Sequence, residues 1–119
     1  MTQRTERVGA LLREEISVLL RDDVRDPRMS GLVSITHVDV SPDLRNASAF
    51  VSVLGSDEDR TSTMQALQHA RPFIRRELGR RLRLRTIPDV RFVSDTSMEQ
   101  AQELTDAMRR NAEQRGESI

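Results

Sequence analysis

The 119-residue chain contains no cysteine, tryptophan, tyrosine or lysine. Without thiols it can form no disulfide framework, carry no thiol chemistry and build no cysteine–zinc site. Its aromatics are Phe50, Phe73 and Phe92. RNA recognition over stacked rings, as on an RRM sheet or an OB-type platform, therefore has little to build on. No apolar run approaches the ~18 residues of a membrane span, and no secretory apolar segment follows Met1, so a soluble, cytoplasmic protein without a membrane partner is expected. The glycines stand singly at 9, 31, 55, 79 and 116, which leaves no phosphate-cradling loop, dinucleotide fingerprint or nucleophile elbow. His37 and His69 are the only imidazoles. Spacing fixes no partner for either, and both read as partly buried or surface histidines rather than as bases or ligands. No enzyme is expected, and no cofactor, metal or small-molecule substrate.

What is present is charge, unevenly placed. Nineteen basic and nineteen acidic residues cancel over the whole chain. Residues 1–70 carry a net −3, residues 71–91 a net +6 and residues 92–119 a net −3. Zero net charge, which would ordinarily count against a nucleic-acid partner, hides one strongly basic window.

Residues from about Thr5 to Leu20 place Val8, Leu11, Leu12, Ile16, Leu19 and Leu20 at helical spacing, and Pro27 closes that helix region. Leu32 to Ser41 reads as a strand whose phase slips by one residue at Thr36-His37, the mark of a bulge or face change. Ser41-Pro42-Asp43 signals a turn, and Ala47 to Leu54 a second strand, giving an antiparallel hairpin. Ser56 caps a helix with carboxylates in its first turn, running through Met64 and Leu67 to Ala70. Proline suits the first helical position, so a break is expected at Arg71 and a restart at Pro72. The restarted segment, to about Leu82, carries Ile74, Leu78 and Leu82 on one side and Arg76, Arg80 and Arg83 nearly opposite. A third strand is expected from Ile87 to Val93. Beyond it, Thr96 with Glu99 and Ser97 with Gln100 form overlapping capping boxes for a short tail helix over 97–108, and 109–119 reads as a disordered tail. Residues 1–108 thus form a single domain.

The basic window supplies the candidate site: Arg71, Arg75, Arg76, Arg80, Arg81, Arg83 and Arg85, around a helix restart whose free N–H groups would favour phosphate. Guanidinium forks across phosphate oxygens or stacks on a base. Glu77 is the one acid near these arginines and sits off the Arg76–Arg80–Arg83 stripe. Gly79 lies within the stripe, where close backbone approach or mere tolerance would explain it. Arg4, Arg7, Arg28 and Arg45 are second-rank candidates, equally readable as ion-pair partners of nearby acids. The same arginine face could instead dock an acidic protein partner. The element order, α-β-β-α-kink-α-β, is an α+β arrangement with the layout of a type II KH domain, three strands packed against helices. Such domains clamp single-stranded RNA beside the inter-helix break, usually with a G-x-x-G loop, which this chain lacks.

Taken together, Arg7-Val8, Asp26-Pro27-Arg28, Ile35-Thr36-His37-Val38-Asp39-Val40-Ser41 with Asp43-Leu44, Ala49 to Leu54, Phe73-Ile74-Arg75, Arg83-Leu84-Arg85, Pro88-Asp89-Val90 and Phe92-Val93-Ser94-Asp95 closely resemble the bacterial ribosome-binding factor A family. The resemblance covers roughly Arg4 to Glu103. In that family an Ala-x-Gly kink replaces the KH loop; here the position reads Ala70-Arg71-Pro72. The resemblance implies a non-catalytic assembly factor; a monomer is expected. It implies binding to the immature 30S subunit and its 16S rRNA, at the neck near the decoding region. It also implies assistance to late rRNA processing, often under cold stress, and release before translation begins.

Overall fold

The computed structural model describes residues 3–24, 26–29, 32–95 and 106–111. Helix α1 spans Gln3–Asp22 and buries Thr5, Val8, Gly9, Leu12, Ile16 and Leu19. These recur every three or four residues, so they form one stripe. Leu11 falls at its edge and is 44% exposed. The helix ends where the N–H groups of Asp23 and Val24 both donate to the Leu19 carbonyl, at 2.9 and 2.8 Å.

Strands β1 (Leu32–Val40) and β2 (Asn46–Leu54) pair antiparallel, with a register shift between Ile35 and His37. The phase slip in the sequence is therefore a bulge. One extra residue, Thr36, lets Ile35 and Val38 both point inward although three positions apart. Strand β3 (Asp89–Ser94) pairs parallel to β2, completing a sheet in the order β1-β2-β3. It begins two residues later than expected. Pro88 has no N–H for the ladder, and the first donor is Asp89, whose N–H goes to the Arg45 carbonyl at 2.8 Å.

Helix α2 runs from Asp57 to Arg81 without interruption, with Pro72 inside it. Ser56 caps it as expected: its hydroxyl accepts from the Asp59 N–H and its own N–H donates to the Asp59 carboxylate, both at 3.0 Å. The break at Arg71 is not there. Pro72 withholds an N–H from the Gln68 carbonyl, a local cost, but the buried stripe keeps its phase across it. Leu67 and Ile74 differ by about 20° around the helix, as do Leu67 and Leu78, and all three are essentially inaccessible. Burial of both halves against one core outweighs the missing hydrogen bond. The two helical segments of the KH-like layout are a single rod, and no second helix N-terminus opens at Pro72.

Both helices lie on one face of the sheet, over Ile35, Val38, Val40, Ala47, Ala49, Val51, Val90 and Phe92. This is the α+β, type II KH-like arrangement of three strands packed against helices. Among the tail residues, 106–111 are helical, so the tail helix reaches beyond residue 108, where no helix breaker stands; the expected capping boxes at 96–100 lie outside the described residues.

Two glycines give opposite expectations. A Cβ on Gly9 would sit 2.6 Å from the Val38 carbonyl oxygen, whereas one on Gly79 would meet only Ile87 Cγ1 at 3.8 Å. For Gly9→Ala, the helix-propensity gain of ~1 kcal/mol is outweighed by an overpacking cost of about 1–3 kcal/mol. For Gly79→Ala the gain stands alone, at roughly 0.5–1 kcal/mol. Thermal unfolding of the two variants is expected to move in opposite directions.

Candidate nucleic-acid interface

Helix α2 lies along β3 and is tied to it by side chains. Gln68 donates its amide to the Phe92 carbonyl at 3.3 Å, and Arg71 donates Nη2 to the Asp89 carboxylate at 2.8 Å and Nη1 to the Gln68 side chain at 3.4 Å. Beside these contacts is an open groove of about 550 Å³, lined by Gln68, Arg71, Pro72, Arg75, Arg76 and Asp89. Arg75 and Arg76 are exposed, and neither makes an ion pair among the described residues. Arg71 Nε is buried without a hydrogen-bond partner. Leaving such a donor unmet is costly.

The seven candidate arginines do not form one stripe. Arg71, Arg75 and Arg76 share the groove at Pro72. Arg80 is paired with Glu77 at 3.0 Å, so Glu77 does offset part of the basic face. The pair is i,i+3 and Arg80 is 79% exposed; such pairs contribute little. Arg81 reaches Asp23 at 2.8 Å, clamping the end of α2 to the end of α1. The helix stops at Arg81, and Leu82, whose N–H donates to the Leu78 carbonyl, is already extended. Arg83 and Arg85 therefore lie off the helix altogether. From Arg81 to Arg85 arginine and leucine alternate, with Leu82 and Leu84 turned towards the core and Arg83 and Arg85 exposed. That period-two pattern was legible in the sequence and incompatible with a continued helix. Arg85 lines a second groove of about 280 Å³ together with Arg4 from α1.

Of the other second-rank residues, Arg28 is committed to Asp26, donating Nη2 at 2.7 Å and Nε at 3.1 Å. Arg7 and Arg45 are exposed and make no ion pair among the described residues. The opposite face of the sheet, which neither α1 nor α2 covers, carries a feature the sequence reading missed, although two-residue spacing in β1 puts His37 and Asp39 on one face. His37 Nε2 lies 2.6 Å from the Asp39 carboxylate, and its ring stacks on Phe50 with centroids 6.1 Å apart. Register places Arg91 on that same outer face, away from the groove at Pro72. Among the described residues no group of three or more His, Cys, Asp or Glu is placed to hold a metal ion, and no helix is long and apolar enough to cross a membrane.

Two carboxylates are held low by local hydrogen bonds. The Arg28 guanidinium, then the Arg28 backbone N–H, lower Asp26 to about 2. The Ser41 hydroxyl and the Arg45 N–H lower Asp43. A carboxylate with a depressed folded pKa contributes stability that is present above its unfolded pKa, ~3.9, and is lost as pH falls towards the folded value. Acid unfolding is therefore expected to steepen between about pH 4 and pH 2, and Asp26→Asn to flatten that part of a urea-midpoint-against-pH curve.

The family model described as ribosome-binding factor A matches residues 4–108. Ribosome-binding factor A of Dictyoglomus thermophilum is 52% identical over 99 residues, spanning 83% of this chain and 82% of that one. The crystal structure of ribosome-binding factor A from Thermus thermophilus superposes with a TM-score of 0.65 at 24% identity, over 76% of this chain and 94% of that one. A homology model of the Thermus thermophilus protein, fitted into a cryo-EM map of its complex with the 30S subunit, gives a TM-score of 0.64 at 24% identity, over 77% and 96% of the two chains. Both likenesses speak to the fold.

Proposed function

The chain belongs to the ribosome-binding factor A family, and from that premise we propose that it binds the immature 30S subunit through 16S rRNA and assists late rRNA processing without catalysing a reaction. The observation that carries this reading is the groove at Pro72, where Arg75 and Arg76 stand exposed and unneutralised next to a partly paired Arg71. In this reading the groove grips RNA phosphates, with Arg71 and Pro72 lining it on the unbroken helix, and Arg80, Arg81, Arg83 and Arg85 extend the basic surface. Residues 1–108 act as one RNA-binding unit, as a monomer, in the cytoplasm. The fitted 30S complex of the Thermus thermophilus relative supports the choice of partner.

The test is gradient sedimentation of a cell lysate. The protein is expected to travel with free small subunits rather than whole ribosomes, and ribonuclease treatment is expected to release it. Co-sedimentation that survives ribonuclease would favour an acidic protein as the partner of the arginine face. Neutralising about five phosphates gives a slope of log K against log salt near −3.5 by the single-strand rule, or about −4.5 by the duplex rule. Binding indifferent to salt would overturn the reading.

A further inference from the structure

The turn between β1 and β2 is held by a dense network of hydrogen bonds. The Leu44 N–H donates to the Ser41 carbonyl at 2.9 Å. The Asp43 carboxylate accepts from the Ser41 hydroxyl at 2.6 Å and the Arg45 N–H at 3.0 Å, and the Asn46 N–H donates to the Ser41 hydroxyl at 3.0 Å. This network holds Leu44 at φ 62°, a left-handed conformation that a side chain disfavours and glycine or asparagine would adopt more easily. The leucine in that position packs against the core and forms, with Pro42 and Leu84, the apolar floor of the groove of about 280 Å³.

Two guanidinium groups, from Arg4 on α1 and Arg85 on the extended segment after α2, line the same groove. They are 81 positions apart in the chain, so only the fold brings them together. Neither makes an ion pair among the described residues. Asp43 also lines the groove, but its Oδ1 is already engaged by the turn, and two cations against one anion leave the site net positive. Asp89, which lines the groove at Pro72, ties that groove to the turn beside this one. The Asp89 N–H binds the carbonyl of Arg45, next to Leu44, and its carboxylate binds Arg71.

We propose that this groove is a second RNA subsite, in which Arg4 and Arg85 fork one backbone phosphate while the attached nucleoside lies on the Pro42–Leu44–Leu84 floor. The subsite rests on the RNA-binding reading and extends it: the strand held at Pro72 continues past Asp89 to a defined second grip. Paired guanidinium groups suit a phosphate, and the apolar floor suits a nucleoside rather than a bare anion.

The test is co-sedimentation of the full chain with salt-washed small ribosomal subunits over a series of salt concentrations. Three proteins are compared: wild type, Arg4→Gln/Arg85→Gln and Arg75→Gln/Arg76→Gln. Losing one phosphate contact should make the slope of log K against log salt shallower by about 0.7–0.9, and the Arg4→Gln/Arg85→Gln protein should bind roughly tenfold more weakly at fixed salt, about the effect of one lost charge-assisted hydrogen bond. Arg4→Lys/Arg85→Lys keeps the charge and should restore most of the slope but not all of the affinity, because lysine cannot fork. Arg4 and Arg85 are exposed, so circular dichroism should show each variant folded. If Arg4→Gln/Arg85→Gln binds like wild type while Arg75→Gln/Arg76→Gln is weakened, the second subsite is wrong and the groove at Pro72 stands. If wild type itself does not pellet with small subunits, the RNA-binding reading fails, and the subsite with it.

Discussion

Exchanging Arg75 and Arg76 for glutamate is expected to weaken association with the small subunit by at least a hundredfold while leaving the fold intact. A hydrogen bond to a charged group contributes about 1.5–3 kcal/mol, so losing two removes at least ~3 kcal/mol, or roughly two powers of ten in affinity. The new carboxylates then repel the phosphates they face. Neither arginine is tied to another described residue and both are exposed, so the melting temperature should change little. Arg80 makes a useful contrast on the same helix. It shares its charge with Glu77, and Arg80→Gln should cost much less binding than either change in the groove. Arg81→Glu should behave differently again. It sets a like charge against Asp23 in the α1–α2 clamp, and its main effect should appear in stability. Filter binding or co-sedimentation, run beside thermal melts, separates the three. Equal losses at all three positions would show that net charge matters and the groove does not.

Leu67→Ala is expected to be among the most damaging single changes to the fold. Leu67 has no exposed surface and lies in the stripe that holds α2 on the sheet. Truncating such a leucine costs roughly 2–5 kcal/mol, the lost transfer energy plus the cavity left behind. That is a large share of the ~5–15 kcal/mol by which domains of this kind are stable. Urea unfolding should show the midpoint falling sharply with little change in slope. The fraction still folded should bind with near-normal affinity, because Leu67 contributes nothing to either groove. A loss of affinity in the folded fraction would mean that core packing sets the groove geometry.

Local chemistry made much of the fold legible. The phase slip between Ile35 and Val38 signalled a bulge or face change, and Ser56 followed by acids announced the helix cap. The helix boundary at Pro72 failed for a physical reason. Proline's preference is a local penalty, whereas the burial of Leu67, Ile74 and Leu78 is a tertiary gain in phase across it, and the gain is larger. The candidate site was legible as composition but not as geometry. Which arginines are free depends on Asp89, Asp23 and Glu77, and the first two meet their partners only through the fold. The pairing of Arg4 with Arg85 in one groove is likewise invisible along the chain. Only the alternation from Arg81 to Arg85 could have shown beforehand that Arg83 and Arg85 leave the helix.

The parallel pairing of β2 with β3 has a consequence for the order of folding. The β1–β2 hairpin closes over the short turn at Ser41–Arg45, but β3 can join β2 only after the chain has returned along the whole of α2. Contacts so far apart in sequence close late, because loop entropy is lost before the pairing repays it. Asp89 belongs to that last strand. Until it docks, Arg71 has no carboxylate to hold it and the β3 wall of the groove is missing. A chain emerging N-terminus first during synthesis thus exposes its helices and hairpin before the groove at Pro72 is complete, and that groove is finished only when β3 closes the sheet.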